Sequence, residues 1–173
     1  MNIRDLISST VFYVGVVVVS LVLIRVGTRY GFDKVHEDFR EMEPGLQRGT
    51  HLFVDRSIRQ PEQLNYGDII AYLRPPWKRA AYKYEFGRVV GKPGDVVEMQ
   101  SSKLLRADRR DGELELPRAV SEPYVDLRDR PADFSPFVIP RNTILVFYDS
   151  RARREPLRNL LIPVRSIYGR AIR

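Results

Sequence analysis

Side chains able to do chemistry are sparse in this chain, and the sparseness excludes whole reaction classes. There is no cysteine, which rules out disulfides, thiolate zinc sites and a cysteine nucleophile. His36 and His51 are the only histidines, too few for a histidine-based metal centre, so no metal or other cofactor is expected. His51 reads as an ordinary half-exposed residue, and Ser57, just after a strand, as a turn residue. Trp77, Tyr82, Tyr84 and Phe86 read as strand packing or membrane-edge contact rather than as a ligand box. The stronger signal is charge: 29 Lys and Arg against 22 Asp and Glu leave a net +7, which asks for nucleic acid, anionic lipid or an acidic partner. Arg151 to Arg173 holds seven arginines and one acid, Glu155, and so carries +6 of that excess. The tail reads either as a solvated face of the last strands or as a contact for anionic lipid. No helix-turn-helix, RNP-like aromatic motif or glycine-rich phosphate loop is present, so nucleic acid is not an expected partner.

The elements that must position these residues are mostly short strands. Leu52-Phe53-Val54, Ile69 to Leu73, Arg88-Val89-Val90, Val96 to Met99 and Thr143 to Phe147 are β-rich runs. Turns are expected at Tyr66-Gly67-Asp68, Lys92-Pro93-Gly94-Asp95, Arg110-Asp111-Gly112 and Ile139-Pro140-Arg141-Asn142. A length of 173 residues suits one domain with room for a small subdomain. The polar stretch 100–133, rich in Arg and Asp, is expected as a ribbon or subdomain inserted between core strands. A charged fraction of 29% beside 43% hydrophobic residues excludes both a disordered chain and a multi-span membrane protein.

The first residues differ from the rest. Ile7 to Ile24 contains no charge, and eighteen helical residues reach roughly 27 Å, close to a bilayer core of about 30 Å. A cleaved signal peptide would want a basic start and a small-x-small site, whereas Arg4 is cancelled by Asp5 and the run ends Leu23-Ile24-Arg25-Val26. A core strand of that length would be abnormal. A retained single-span anchor is therefore expected over 1–28, with the β domain over 29–173. Arg25, Arg29 and Lys34 follow the span, and a literal positive-inside reading would put the domain in the cytoplasm; that rule is weak for long translocated domains.

Three stretches, in order and spacing, resemble the signal peptidase I (S26) family, membrane-bound proteases with a Ser/Lys dyad. The first is Glu41-Met42-Glu43-Pro44-Gly45-Leu46, with Arg48-Gly49 and Leu52-Phe53-Val54. The second is Tyr66-Gly67-Asp68-Ile69-Ile70 followed by Gly87-Arg88-Val89-Val90-Gly91-Lys92-Pro93-Gly94-Asp95. The third runs from Glu122-Pro123-Tyr124-Val125 through Phe134, Val138-Ile139-Pro140 and Phe147-Tyr148-Asp149-Ser150-Arg151 to Ile167-Tyr168-Gly169-Arg170. The resemblance covers about residues 41 to 172 and implies a mainly antiparallel β domain on a single amino-terminal transmembrane helix, its globular part outside the cytoplasm.

The resemblance also implies where the dyad should stand. An unprotonated Lys in an apolar site activates the Ser hydroxyl. The family's nucleophile precedes Met-x-Pro, where this chain has Glu41. Its base precedes Arg-Val-Val-Gly, where this chain has Gly87, and its oxyanion hydroxyl falls on Phe39. Arg153-Arg154-Glu155-Pro156-Leu157 replaces the expected closing box and is one residue short. Lys83 is four residues before Gly87, about 13 Å away on a strand, and Lys92 is inside a turn. Glu41 with Asp149 is the one carboxylate pairing the resemblance offers, and its geometry is poor. The expectation is a chain without catalytic residues. Its remaining frame, Met42, Pro44, Arg88, Pro93, Gly94, Asp95, Asp149, Ser150 and Arg151, would bind a peptide without cutting it. The implied role is an assembly factor or subunit of a membrane protein complex; an active peptidase of altered mechanism and a basic membrane-surface module are the alternatives. Gly87→Val is expected to leave the fold intact.

Overall fold

The computed structural model describes residues 3–73, 84–110, 113–123, 125, 133–151 and 156–172. Trp77, Tyr82, Lys83, Asp111, Gly112, Tyr124 and the run Arg153-Arg154-Glu155, all singled out from the sequence, lie outside the described residues.

A helix, α1 (Ile3–Arg29), leads without an intervening residue into β1 (Tyr30–Lys34). Within it, Val11–Arg29 is long and apolar enough to cross a membrane, and none of that span is buried against the domain. In lipid the run of valines is helical because only a helix satisfies its own backbone there. The strands continue as β2 (His51–Asp55), β3 (Ile69–Leu73), β4 (Tyr84–Gly91), β5 (Val96–Gln100), β6 (Lys103–Ala107), β7 (Arg109–Arg110), β8 (Glu113–Leu114), β9 (Arg118–Ala119), β10 (Phe134–Val138), β11 (Thr143–Phe147), β12 (Leu161–Pro163) and β13 (Ile167–Ile172). A single turn of helix, α2 (Leu157–Leu160), precedes β12.

Seven strands form one sheet in the order β1-β2-β13-β3-β4-β11-β12, and four form a second in the order β10-β5-β6-β9. All pairings are antiparallel. The fold is thus a mainly antiparallel β domain preceded by an apolar helix. Within 100–133 lie β6, the β7–β8 hairpin and β9, while β5 and β10 of the same smaller sheet flank that stretch.

Alternation along β4 separates two apolar clusters. Phe86 and Val90 join Phe39, Met42, Leu46, Leu145 and Phe147 with Val97, Met99 and Leu104 of the smaller sheet. Val89 joins Ile58, Leu64, Ile70, Tyr72, Ile144 and Val146 on the other face. The larger sheet is therefore covered on both sides, which suits the apolar, unalternating look of Ile69-Ile70-Ala71-Tyr72 and Ile144 to Phe147.

Candidate functional site

The segment between β1 and β2 has no regular structure, but hydrogen bonds close it at both ends. Val35 N–H donates to Thr50 O at 2.9 Å and Gly49 N–H to Val35 O at 3.0 Å. Gly49 has a positive φ of 72°, a conformation glycine adopts at no steric cost. Inside this loop Leu46 N–H donates to Met42 O at 2.6 Å and Phe39 N–H to His36 O at 3.0 Å. Phe39 and Met42 are buried and serve as the loop's apolar root. Glu41 is half-buried, and its carbonyl accepts the N–H of Ser150 at 2.8 Å. The chain after β11 is thereby brought beside the Met-x-Pro segment, as the motif order implies.

Arg88 joins three parts of the frame. Its Nε donates to Asp149 Oδ1 at 2.8 Å, its Nη2 to Asp149 Oδ2 at 2.6 Å and its Nη1 to Gly67 O at 2.8 Å. Gly45 lies against this pair: a methyl group there would collide with Asp149 Oδ2 and stand 2.8 Å from Arg88 Nη2. Asp149 is fully buried, with both carboxylate oxygens engaged by Arg88. Arg151 is also buried, its guanidinium paired with Glu122 and lying 4.3 Å from the centre of the Phe147 ring.

The Lys92-Pro93-Gly94-Asp95 turn sits at the carboxy end of β4. Gly94 has φ +88°, Asp95 accepts the Lys92 N–H at 2.7 Å and the Tyr66 hydroxyl at 2.9 Å, and Ile139 N–H donates to Asp95 O at 2.9 Å. Burial pushes the Asp95 carboxyl above its ordinary value and the Tyr66 hydroxyl upward as well. Arg106 stacks on Tyr66 at 3.4 Å and donates to Val90 O at 3.1 Å, tying the smaller sheet to β4. Burial alone would also raise Asp108, but hydrogen bonds from Arg106 and Arg118 hold it below the usual range.

Of the residues expected to bind a peptide, Met42, Arg88, Asp95, Asp149 and Arg151 are buried. Arg88, Asp95 and Asp149 spend side-chain hydrogen bonds within the frame, and Arg151 pairs with Glu122. Pro44 is exposed, and Pro93, Gly94 and Ser150 are half-buried. Pro44 borders a cavity of about 430 Å³ with Leu46, His51, Leu52, Phe53 and Ile172 among its walls. His51 is exposed, its ring stacked 5.1 Å from that of Phe32.

The space beside Gly87 is closed. A Cβ added there would stand 3.0 Å from Val146 Cβ and Cγ2 and 3.3 Å from Tyr72 Cε1. A branched side chain at residue 87 must therefore shift these neighbours by a few tenths of an ångström, a cost of overpacking that the expectation of an intact fold did not include. Around Gly87 the sequence reading missed a buried polar chain. The hydroxyls of Tyr72 and Tyr148 are 3.4 Å apart, and the Tyr148 hydroxyl donates to Glu85 Oε2 at 3.3 Å. Tyr148 also packs edge-on to Phe39 at 6.3 Å, so it connects the loop carrying Glu41 to the residues filling the space at Gly87. Burial, then the neighbouring Tyr148 and Glu85, push the Tyr72 hydroxyl well above its usual value. The available signal was Glu85 inside an otherwise apolar strand run, which demands a polar partner.

The basic tail is not one solvated face. Arg151 is buried, and Arg170 is engaged with Asp55 and Asp68 at 3.8 and 3.4 Å. Arg158 and Arg165 are exposed, and Arg173 lies outside the described residues. No group of three or more His, Cys, Asp or Glu side chains able to hold a metal occurs among the described residues.

Comparison with known proteins accounts for this frame. Signal peptidase I P of Bacillus subtilis subsp. natto is 24% identical over 152 residues, covering 88% of this chain and 80% of the relative. Signal peptidase I of Bacillus licheniformis is 26% identical over 156 residues, covering 85% and 77%. A signal peptidase I crystal structure from Enterococcus faecalis V583 aligns with a TM-score of 0.46 at 21% identity, over 62% of this chain and 96% of that one. The family model described as signal peptidase, peptidase S26, matches residues 5–172. That match takes in the apolar helix, the loop rooted by Phe39 and Met42, the Arg88–Asp149 frame and the last strand. The chain belongs to the S26 signal peptidase family.

Proposed function

We propose that this chain is a membrane-anchored, non-cleaving member of its family that holds an extended segment of a membrane-protein partner. It would act as an assembly factor or as a subunit of a membrane complex, with its β domain on the extracytoplasmic side. The reading rests on the two residues that the sequence resemblance puts at the dyad positions, Glu41 and Gly87. Glu41 offers a carboxylate where the resemblance implies a hydroxyl nucleophile before Met-x-Pro, and Gly87 offers no base. Attack by a carboxylate on a peptide would give an anhydride, and a serine route needs a base that Gly87 cannot supply. Phe39, buried at the oxyanion position, brings no hydroxyl.

Peptide binding has independent support. β1 terminates the larger sheet and pairs with β2; an extended segment can add to such an edge through main-chain hydrogen bonds. Phe32 is opposite Phe53, and Phe53 is opposite Ile172. All three are exposed, and Phe53 and Ile172 also line the cavity at Pro44, an apolar row suited to apolar side chains of a partner.

Two measurements on the full chain in lipid nanodiscs test the reading. A labelled signal-peptide substrate should give no product above a protein-free control, and a membrane partner should co-purify stoichiometrically from native membranes. Phe53→Glu should release that partner without unfolding the domain. The named relatives are signal peptidases, which favours retained cleavage as the second reading; product formation abolished by Glu41→Gln would establish it instead.

A further inference from the structure

Where α1 ends, the fold assembles arginines and aromatic rings whose charges are satisfied very unequally. Arg56 N–H donates to the carbonyl of Arg29, the last residue of the apolar span, at 2.8 Å. Residue 56 is thereby held at the carboxy end of the apolar span. Three neighbouring arginines are spoken for. Arg29 and Arg170 share the Asp55 carboxylate at 3.6 and 3.8 Å. Arg59 Nη1 donates to the carbonyls of Arg56 and Ile58 at 2.6 and 2.9 Å. Asp55 is itself saturated, since it also accepts the Ser57 N–H and hydroxyl at 2.9 and 2.6 Å. Asp55 and Asp68 are thus engaged by Arg29, Arg170 and Ser57, and neither pairs with Arg56.

Arg56 is the exception among them. Its guanidinium lies 4.5 Å from the centre of the Tyr168 ring, and Tyr168 is stacked on Tyr84 at 4.1 Å. The group rests on the backbone of Gly31, where a methyl group would stand 2.6 Å from its Cζ. No ion pair to Arg56 exists among the described residues, and its buried Nε has no hydrogen-bond partner. A guanidinium packed beside an aromatic ring can still use its terminal N–H groups to grip phosphate oxygens at two points. Tyrosines at this depth are what a headgroup layer favours.

We infer that Arg56, held over Tyr168 and Gly31 at the end of α1, binds the phosphate of an anionic phospholipid headgroup. The chemistry recognised is a phosphate oxygen pair, which a lipid or free phosphate can provide; the position beside the last carbonyl of the span selects the lipid. The site is separate from Glu41 and Gly87 and does not depend on whether the chain cleaves peptides.

The test uses the full chain reconstituted in mixed phosphatidylcholine and phosphatidylglycerol nanodiscs, then moved to mild detergent, with retained lipid counted by native mass spectrometry. Wild type should keep one phosphatidylglycerol per chain in preference to phosphatidylcholine. Arg56→Gln should retain it about tenfold less, the loss expected for charge-assisted hydrogen bonds. Gly31→Ala should do the same while keeping every charge, because its methyl group displaces only the end of a flexible side chain. Arg165→Gln, on the exposed part of the tail, should retain lipid like wild type. Equal loss in Arg165→Gln, or full retention in Gly31→Ala, would reduce the effect to bulk charge and overturn the proposal. Displacement of the lipid by low concentrations of inorganic phosphate would assign the site to free anion instead. A wild type with no preference between the two lipids would overturn it without recourse to any variant.

Discussion

The Arg88 guanidinium meets the Asp149 carboxylate at two points, 2.8 and 2.6 Å, with Asp149 fully buried and Gly45 pressed against the pair. Three segments far apart in sequence converge there. Removing one charge while leaving the other buried is costly, so Arg88→Ala should destabilise the domain by about 3–5 kcal/mol. Chemical denaturation of the full chain in detergent measures this. A loss under about 1 kcal/mol, the range of an exposed pair, would show that the pair is dispensable.

Gly87 gives a second prediction. Because Val146 and Tyr72 close the adjacent space, Gly87→Val should cost about 1–3 kcal/mol through overpacking. The double variant Glu41→Ser with Gly87→Lys should cleave no signal-peptide substrate above background. The new lysine must push Val146 or Tyr72 aside by a few tenths of an ångström, and on the proposed reading Phe39 stands where an oxyanion donor would, a loss worth a factor of about 10²–10³ by itself. Robust turnover by the double variant, read by gel shift of the substrate, would mean that the site opens far more easily than its packing implies.

Tyr148 joins Glu85 to Tyr72 and packs on Phe39. Tyr148→Phe keeps the ring contact and removes the hydroxyl, so it should destabilise by about 0.5–1.5 kcal/mol. Tyr148→Leu should lose more, because the edge-on aromatic contact goes too. Equal stability of the two variants would place the whole effect in the hydroxyl.

Acid should unfold the domain through particular carboxyls. Burial opposes ionisation of Asp55 and Asp108, but hydrogen bonds from Ser57 and the Arg29 charge at the first, and hydrogen bonds from Arg106 and Arg118 at the second, hold both below the usual range. A depressed carboxyl contributes stability that is complete above its unfolded value of about 3.9 and lost as pH falls through the folded value. Asp95, raised by burial, has the opposite sign: its contribution grows as pH drops from the raised value toward about 3.9. Thermal midpoints should therefore hold or rise slightly on mild acidification and fall steeply below about pH 4. Asp108→Asn should be less stable than wild type at neutral pH and show a shallower acid fall. An unchanged acid slope in that variant would remove Asp108 from the account.

How far the sequence reaches is clearest strand by strand. Ile69 to Leu73 and Thr143 to Phe147 match β3 and β11 residue for residue, because central strands covered on both faces are continuous apolar runs. Edge strands are harder. β1 reads Tyr-Gly-Phe-Asp-Lys, and β10 contains Pro136, compositions that argue against a strand until a neighbour fixes them. The Gly67 and Gly94 turns were legible because positive φ at those positions calls for glycine. Local motifs also located Arg88 and Asp149, yet their spacing could not say that the two spend their hydrogen bonds on each other. The contacts of Tyr72, Glu85 and Tyr148 were invisible for the same reason, being set by three strands at once.

The direct passage from Arg29 of α1 to Tyr30 of β1, braced by the Arg56 N–H on the last helical carbonyl, makes helix and sheet a single lever. A helix answers a thinner or thicker bilayer by changing its tilt. With no linker residue to absorb that change, tilt passes into β1 and from there to the row formed by Phe32, Phe53 and Ile172. Coupling of this kind would make membrane thickness an input to the domain's attitude, so that the apolar row would face its surroundings at different angles in membranes of different lipid composition.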